Sequence, residues 1–429
     1  MDATAEGTTV PGDAWRRLAS RHYRGGSVAS TWTPREDAGL RALLCGPLIA
    51  GSTYVPDFVT PRLRDWPMFS VGWKDKERPD AQSSRRRPPL TLTVLCSPGD
   101  AAKTSKASKA SKASKASKAS KASKASKASK TSGGMHELVR RRLLPLMLET
   151  VAMLKEATGG LPRGADVVFV AARPGRALPA EAGAPVLPVH INGGVTYFFA
   201  SPARPLVLVY RTQDAGKVLV HELLHLHGLD EPLRGTASEV VEAAIARRYR
   251  VAVDARGGGL ALGLNEAYTE TMACYLHSLW WASRELPPGS ASASASASAS
   301  ASASASASAS ASASASARRR TEHATLARVR AHVDAVARRV WRHFGGFGGP
   351  WREGTHAFAY VACRAALWSP PILARLLEAH PPGRRPTDPA AFAALVVDGL
   401  DAWRRNEARA IRRPASTTSD SSLRMTCLA

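Results

Sequence analysis

The pentapeptide His221-Glu222-Leu223-Leu224-His225 sets two imidazoles four residues apart, with a carboxylate beside the first. On a helix, positions i and i+4 leave the same face about one turn apart, so both rings can reach one ion. Imidazole nitrogens bind divalent metals at about 2 Å. Glu222, one step round the helix, is offset from the metal and can hold a water that the metal polarises. Val218, Leu219, Leu223, Leu224 and Leu226 supply the apolar face that would bury such a helix. A hydrolytic metal site needs a third protein ligand and one open position. Two carboxylates compete for the third place: Glu231, local to the motif, and Glu266, in Leu264-Asn265-Glu266-Ala267-Tyr268-Thr269-Glu270 about 40 residues on.

The remote segment carries a resemblance. LNEAYTE, following HELLH, is similar to the NExx(S)D segment that follows HExxH in thermolysin-like gluzincin metallopeptidases. The resemblance implies Zn2+ as cofactor, His221, His225 and Glu266 as its ligands, and Glu222 as general base. It also implies that Glu270, four residues after the ligand and on the same helix face, orients a ligand histidine by bonding its outer nitrogen. The fold implied is α+β and zincin-like: a mixed β-sheet with an active-site helix, followed by a helical C-terminal subdomain. The substrate implied is a peptide or protein. In that mechanism zinc brings the pKa of its water towards ~7, and Glu222 takes the proton and passes it to the leaving amine. The chain departs from thermolysin in a longer spacer between the motifs, in glutamate for aspartate at 270, and in lacking a clear counterpart of the downstream oxyanion-stabilising histidine. The local alternative is metzincin-like: HELLHLHGLDE approaches HExxHxxGxxH, with Glu231 where that family has histidine. Met272 would be its methionine turn, but it falls inside a predicted helix.

A developing oxyanion needs a donor aimed at it. Gly345 to Tyr360 is glycine-rich and then helical, and loosely resembles the glycine-containing helix that closes gluzincin clefts. His356 and Tyr360, one turn apart, are the catalytic candidates there, with Arg352 a third; a packed helix with a polar face would explain them equally well. Val195 to Phe199 reads as an edge strand on which an extended substrate can lie. His227 points to another face of its helix, His190 reads as an ordinary strand histidine, and Tyr268 and the pair Trp280-Trp281 read as packing residues.

Several elements must position these groups. Leu90–Cys96 alternates threonine with aliphatic residues, as a strand does. A helix is predicted over 135–157, kinking or starting at Pro145. Strands follow at Val167–Ala171, Val186–Phe199 (interrupted at Asn192-Gly193-Gly194) and Leu206–Tyr210. The motif helix opens near Asp214 and closes at Gly228. The Glu266 helix runs to about Arg284, and 318–410 is helical.

The zincin-like domain is thus expected over 89–410, interrupted by two disordered insertions. Residues 103–132 hold a Ser-Lys-Ala repeat and residues 290–317 alternate Ser and Ala, and neither can bury a side chain larger than a methyl. Residues 1–88 read as an irregular or separate basic N-terminal region, with a basic linker at Arg85–Arg87, and 411–429 as a disordered tail. Ten lysines of the repeat account for ten of the 24 net positive charges, leaving 14 for the rest of the 429 residues. Such a run attracts polyanions nonspecifically, but the aromatic-and-basic spacing of a base-stacking platform is absent. Five dispersed cysteines without a CxxC argue against a disulfide scaffold. With no apolar N-terminal stretch and no apolar run long enough to span a bilayer, the chain is expected to be intracellular and soluble, with no membrane partner. Two other classes remain open: a catalytically inactive zincin-fold binding protein, and a basic nucleic-acid or polyanion binder with an incidental HExxH.

Overall fold

A computed structural model describes residues 13–23, 28, 30–34, 36–73, 90–98, 134–159, 164–198, 204–253, 262–285, 304–346, 349–380, 385–410, 423 and 425–428. A six-stranded sheet is built from Ser30–Pro34 (β1), Met68–Trp73 (β2), Leu90–Leu95 (β3), Ala165–Val170 (β4), Gly194–Tyr197 (β5) and Leu206–Val209 (β6). Its spatial order is β1-β2-β3-β4-β6-β5. β3, β4 and β6 run parallel, whereas β1, β2 and the edge strand β5 are antiparallel to their neighbours. A two-stranded parallel pair joins Val251–Val253 (β7) to Trp351–Glu353 (β8).

The centre of the sheet follows from composition. β4 (ADVVFV) and β6 (LVLV) are apolar almost throughout, as strands covered on both faces must be. Alternate side chains then serve two cores. Val167, Phe169, Val207 and Val209 enter the larger one, while Val168, Val170, Leu206 and Leu208 pack with Leu44, Ile49, Val59 and Leu63 on the other face.

The principal helices are Asp13–His22 (α1), Ala38–Cys45 (α2), Leu144–Thr158 (α3), Ala215–Leu226 (α4), Thr236–Tyr249 (α5), Leu264–Glu285 (α6), Ser304–His343 (α7), Pro370–Ala379 (α8) and Pro389–Ala410 (α9). α4 carries the HELLH motif and packs against β5 and β6 on one side and α6 on the other. Every residue of α4 except Gly216 is buried. No helix among the described residues is long and apolar enough to cross a membrane.

The end of α4 is built as predicted, and its geometry matters to the site. Gly228 takes φ +63. Its N–H reaches the His225 carbonyl at 2.8 Å, and the Leu229 N–H reaches that of Leu224 at 3.2 Å. This is the doubled bond of a Schellman stop, which reverses the chain at once. A side chain at 228 would be strained in that conformation, so Gly228→Ala is expected to cost roughly 1–2 kcal/mol. Urea unfolding of the variant beside wild type measures it.

Several expectations are corrected. The described part of residues 1–88 is not a separate region, since β1 and β2 extend the sheet and Trp15 of α1 lies in the larger core. β2 reads Met-Phe-Ser-Val-Gly-Trp, a pattern too broken to mark a strand without its partner β3. The Ser-Ala run is not an insertion over all of 290–317, because from Ser304 it forms the start of α7. Alanine is the best helix former, and a helix seeded by the buried Val329, Val333, Val336 and Val340 propagates cheaply into it. The tail is not wholly unstructured: Leu423, Met425, Thr426 and Leu428 are buried. Val186–Ile191 is no strand; Pro188–Ile191 makes one helical turn that places His190 Nδ1 as acceptor for the Leu187 N–H. Ahead of Pro145, Val139–Leu143 widen into a π-helical turn, which absorbs the missing donor and ring clash of the proline. The Ser-Lys-Ala repeat at 103–132 and the Arg85–Arg87 linker lie outside the described residues.

Candidate metal centre

α4 and α6 cross so that three donor atoms meet. His221 Nε2 and His225 Nε2 are 3.0 Å apart, and each lies 3.2 Å from Glu266 Oε2. Among the described residues this is the one cluster of histidine, cysteine and acidic groups gathered tightly enough to hold a metal ion. The first turn of α6 is fixed from outside: the buried Glu242 of α5 accepts from the N–H groups of Gly263 and Leu264, at 3.1 and 2.7 Å. These are donors that a helix start leaves unsatisfied. Nothing in the sequence around Glu242 announces that task.

Each imidazole has a carboxylate at its outer nitrogen. His221 Nδ1 stands 3.1 Å from Glu270 Oε2, although not aligned as a hydrogen bond. Glu270 is buried and also takes both oxygens to Lys217 Nζ (2.8 and 2.6 Å) and one to Arg364 Nη1 (2.7 Å). Burial alone would raise its pKa, but these two cations and His221 hold it far below the ordinary carboxylate range. His225 Nδ1 lies 2.8 Å from Asp230 Oδ2, which also accepts from Arg234 and from Asn265 Nδ2. Arg234 Nη2 comes within 3.0 Å of the same ring nitrogen. Only one of these contacts can use the proton of a metal-ready imidazole, and the carboxylate is the acceptor.

Asp230 is therefore an orienting residue that sequence reading missed. It sits in HGLDE directly before Glu231, and the reversal set by Gly228 was the available signal. Glu231 instead pairs with Arg385 at 2.6 Å on the surface, with two-thirds of its side chain exposed, so it does not approach the histidines. Replacing Asp230 by asparagine keeps its shape and removes its charge. The variant is expected to bind metal about 10–100-fold more weakly, measured by competition with a chelating dye.

Glu222 is buried beside the histidines, and Thr196 of β5 donates to its Oε2 at 2.8 Å. Burial raises its carboxyl, opposed by the nearby imidazoles and the Thr196 bond. The glycines before Thr196 do not make a free turn. A Cβ on Gly194 would stand 2.7 Å from Val218 Cγ1 and 2.8 Å from Glu222 Oε1, so glycine is what lets the strand lie directly on α4.

Of the candidate donors, Tyr360 reaches the centre. Its ring meets that of His221 edge-on at 5.9 Å, and it lines a cavity with His221, Glu222, Gly194 and Met425. Burial, with Glu266, Glu222 and Glu270 nearby, raises its phenol well above the ordinary value, so it remains a protonated donor. His356 stacks on Tyr54 at 6.2 Å and packs against Gly263, outside that cavity. Arg352 is exposed on β8. His227 keeps to another face, 3.1 Å from Thr158 Oγ1, and burial pushes its pKa down to about 4. Tyr268 packs on His380 and Phe392, and the Trp280 ring on His277.

No protein-family model matches this chain. No curated protein and no solved structure is significantly similar to it either. The centre is thus read from its own residues.

Proposed function

We propose that the chain is a zinc-dependent peptidase of gluzincin kind on a zincin-like fold, with His221, His225 and Glu266 as ligands. The observation that carries this is the closure of the three-donor triangle by two helices, with Glu222 beside it. A tetrahedral ion with bonds of about 2.0–2.1 Å requires donor–donor edges of about 3.3–3.4 Å. The edges found, 3.0 and 3.2 Å, fit with a few tenths of an ångström of relaxation. The charge pattern agrees. Glu270 and Asp230 are answered by Lys217, Arg364 and Arg234, whereas Glu266 has no Lys or Arg partner among the described residues. A largely buried carboxylate that meets two imidazoles and one neutral amide donor, Asn265 Nδ2 at 3.4 Å, favours a cation at the imidazoles' meeting point. Two nitrogens and one oxygen suit zinc.

Bound there, zinc supplies Lewis acidity towards a carbonyl and acidifies a water. The chain does the rest. Glu222, aimed by Thr196, accepts the water's proton at its carboxylate and returns it to the leaving amine. Tyr360 donates its phenolic hydrogen to the carbonyl oxygen as charge develops. The edge strand β5, directly over Glu222, offers main-chain groups for an extended peptide. The sheet on one side of α4 and α6 on the other support the zincin-like reading.

The test is metal analysis of the purified chain together with hydrolysis of a peptide library before chelation, after it, and after zinc is restored. Zinc near one per chain with hydrolysis lost and regained is expected. Zinc with no turnover of any peptide would favour an inactive binding protein. Salt-sensitive nucleic-acid binding that survives chelation, without hydrolysis, would favour the polyanion reading.

A further inference from the structure

Leu423 and Met425–Leu428 are held beside the candidate metal centre in an unusual manner, through main-chain groups of Leu423 and Met425. The Leu423 N–H donates to the Arg176 carbonyl at 2.9 Å, and the Met425 N–H donates to Asp214 Oδ2 at 2.6 Å. Arg364 Nη1 donates to the Met425 carbonyl at 3.1 Å. None of the three bonds depends on the side chain of the residue bound, so any peptide can make them. Selectivity comes from the apolar side chains: Leu423, Met425 and Leu428 are 0, 2 and 4 % exposed.

The receiving groups are themselves specialised. Asp214, just before α4, takes the left-handed conformation (φ 60) and does not cap its own helix. Its carboxylate turns instead to Arg176 Nη1, at 2.6 Å, and to the Met425 amide. Arg364 is fully buried, and among the described residues its Nε and Nη2 have no hydrogen-bond partner, so it holds donors in reserve. The same guanidinium binds Glu270, which faces His221. Met425 lines the cavity that Glu222, His221 and Tyr360 also line.

We propose that Arg176, Asp214 and Arg364 form a peptide-binding cradle adjoining the metal centre, whose present occupant is the chain's own Leu423–Leu428. Its ligand class is a short peptide with apolar residues in the spacing Leu-x-Met-x-x-Leu. An incoming peptide enters the inner end of the cavity by displacing this segment, and the full chain is self-occluded. The consequence for turnover rests on the peptidase reading, but the binding does not.

The probe is a synthetic peptide of residues 423–429, fluorescein-labelled at its N-terminus and followed by anisotropy. A chain ending at Ser422 is expected to bind it saturably and at least tenfold more tightly than the full chain does. Equal or absent binding by a shortened chain that melts like the full one would overturn the proposal. Should the shortened chain not fold, Met425→Gly in the full chain loosens the segment while keeping the Asp214 and Arg364 anchors. That variant is expected to take up the labelled peptide at least several-fold better than wild type, and no gain overturns the proposal. Neither readout involves hydrolysis or metal, so loss of the peptidase reading leaves both intact.

Discussion

Glutamine at position 222 is expected to abolish most hydrolysis while leaving the zinc content of wild type. Glu222 touches none of the ligand atoms' shared position, and Thr196 can still donate to the amide oxygen of glutamine. What is lost is the base. General-base catalysis is worth about 10²–10⁴ in rate, equivalent to roughly 3–5 kcal/mol of barrier. Steady-state kinetics on a fluorogenic peptide, with metal analysis of the same preparation, measures both halves of the expectation. A Glu222→Gln chain that hydrolyses as fast as wild type removes Glu222 from the mechanism. One that loses metal as well shows that the residue supports the ligands and is not only a base.

The second large effect concerns Glu266. Glu266→Ala deletes one of three donors and leaves two imidazoles that four residues of one helix hold together. Altering the groups behind a ligand costs about 10–100-fold in affinity, so removing a ligand is expected to exceed that range and leave the dialysed chain essentially free of zinc. Glu231→Ala is the matched control. Its carboxylate is exposed on Arg385, and the variant is expected to retain wild-type zinc. Zinc lost only from Glu231→Ala would instead return the metzincin-like arrangement. The two substitutions also differ in their effect on folding. Glu266 sits in the first turn of α6, largely buried, so its removal leaves a polar pocket, whereas Glu231 leaves solvent.

Much of the centre was readable because its spacing is local. His221 and His225 must share a face once the segment is helical, and Glu266 and Glu270 must likewise share one, so a metal site reduces to two helices meeting. Ala165–Val170 and Leu206–Val209 were readable because buried parallel strands are rich in Val, Ile and Leu, and Leu90–Leu95 because its threonines alternate with aliphatic residues. Less legible were the groups whose role comes from long-range contact. Arg364 reaches Glu270 across 94 positions and Glu242 reaches Leu264 across 22. No periodicity encodes such pairings. Lys217 precedes His221 by four residues and so shares its helix face, a local signal that the sequence reading did not take up. His356 and Tyr360 were paired by the same one-turn rule, and their rings do meet edge-on at 6.4 Å, yet of the two only Tyr360 lines the cavity, while His356 stacks on Tyr54. Tyr54 comes from a region that reads as irregular, which is why its part was invisible. The Ser-Ala stretch misled in the other direction, because low complexity removes the core signal without removing helical propensity.

The pairing of β2 with β3 also fixes what can be cut away. A fragment starting at Leu90 would keep every proposed ligand, yet it would present β3 as a bare rim, with the amides and carbonyls that now meet Met68–Val71 turned to solvent. Unpaired rims of that sort recruit other chains into fibres and clumps. Met68–Val71 thus act as a built-in guard against self-association, although they lie far from the histidines in sequence.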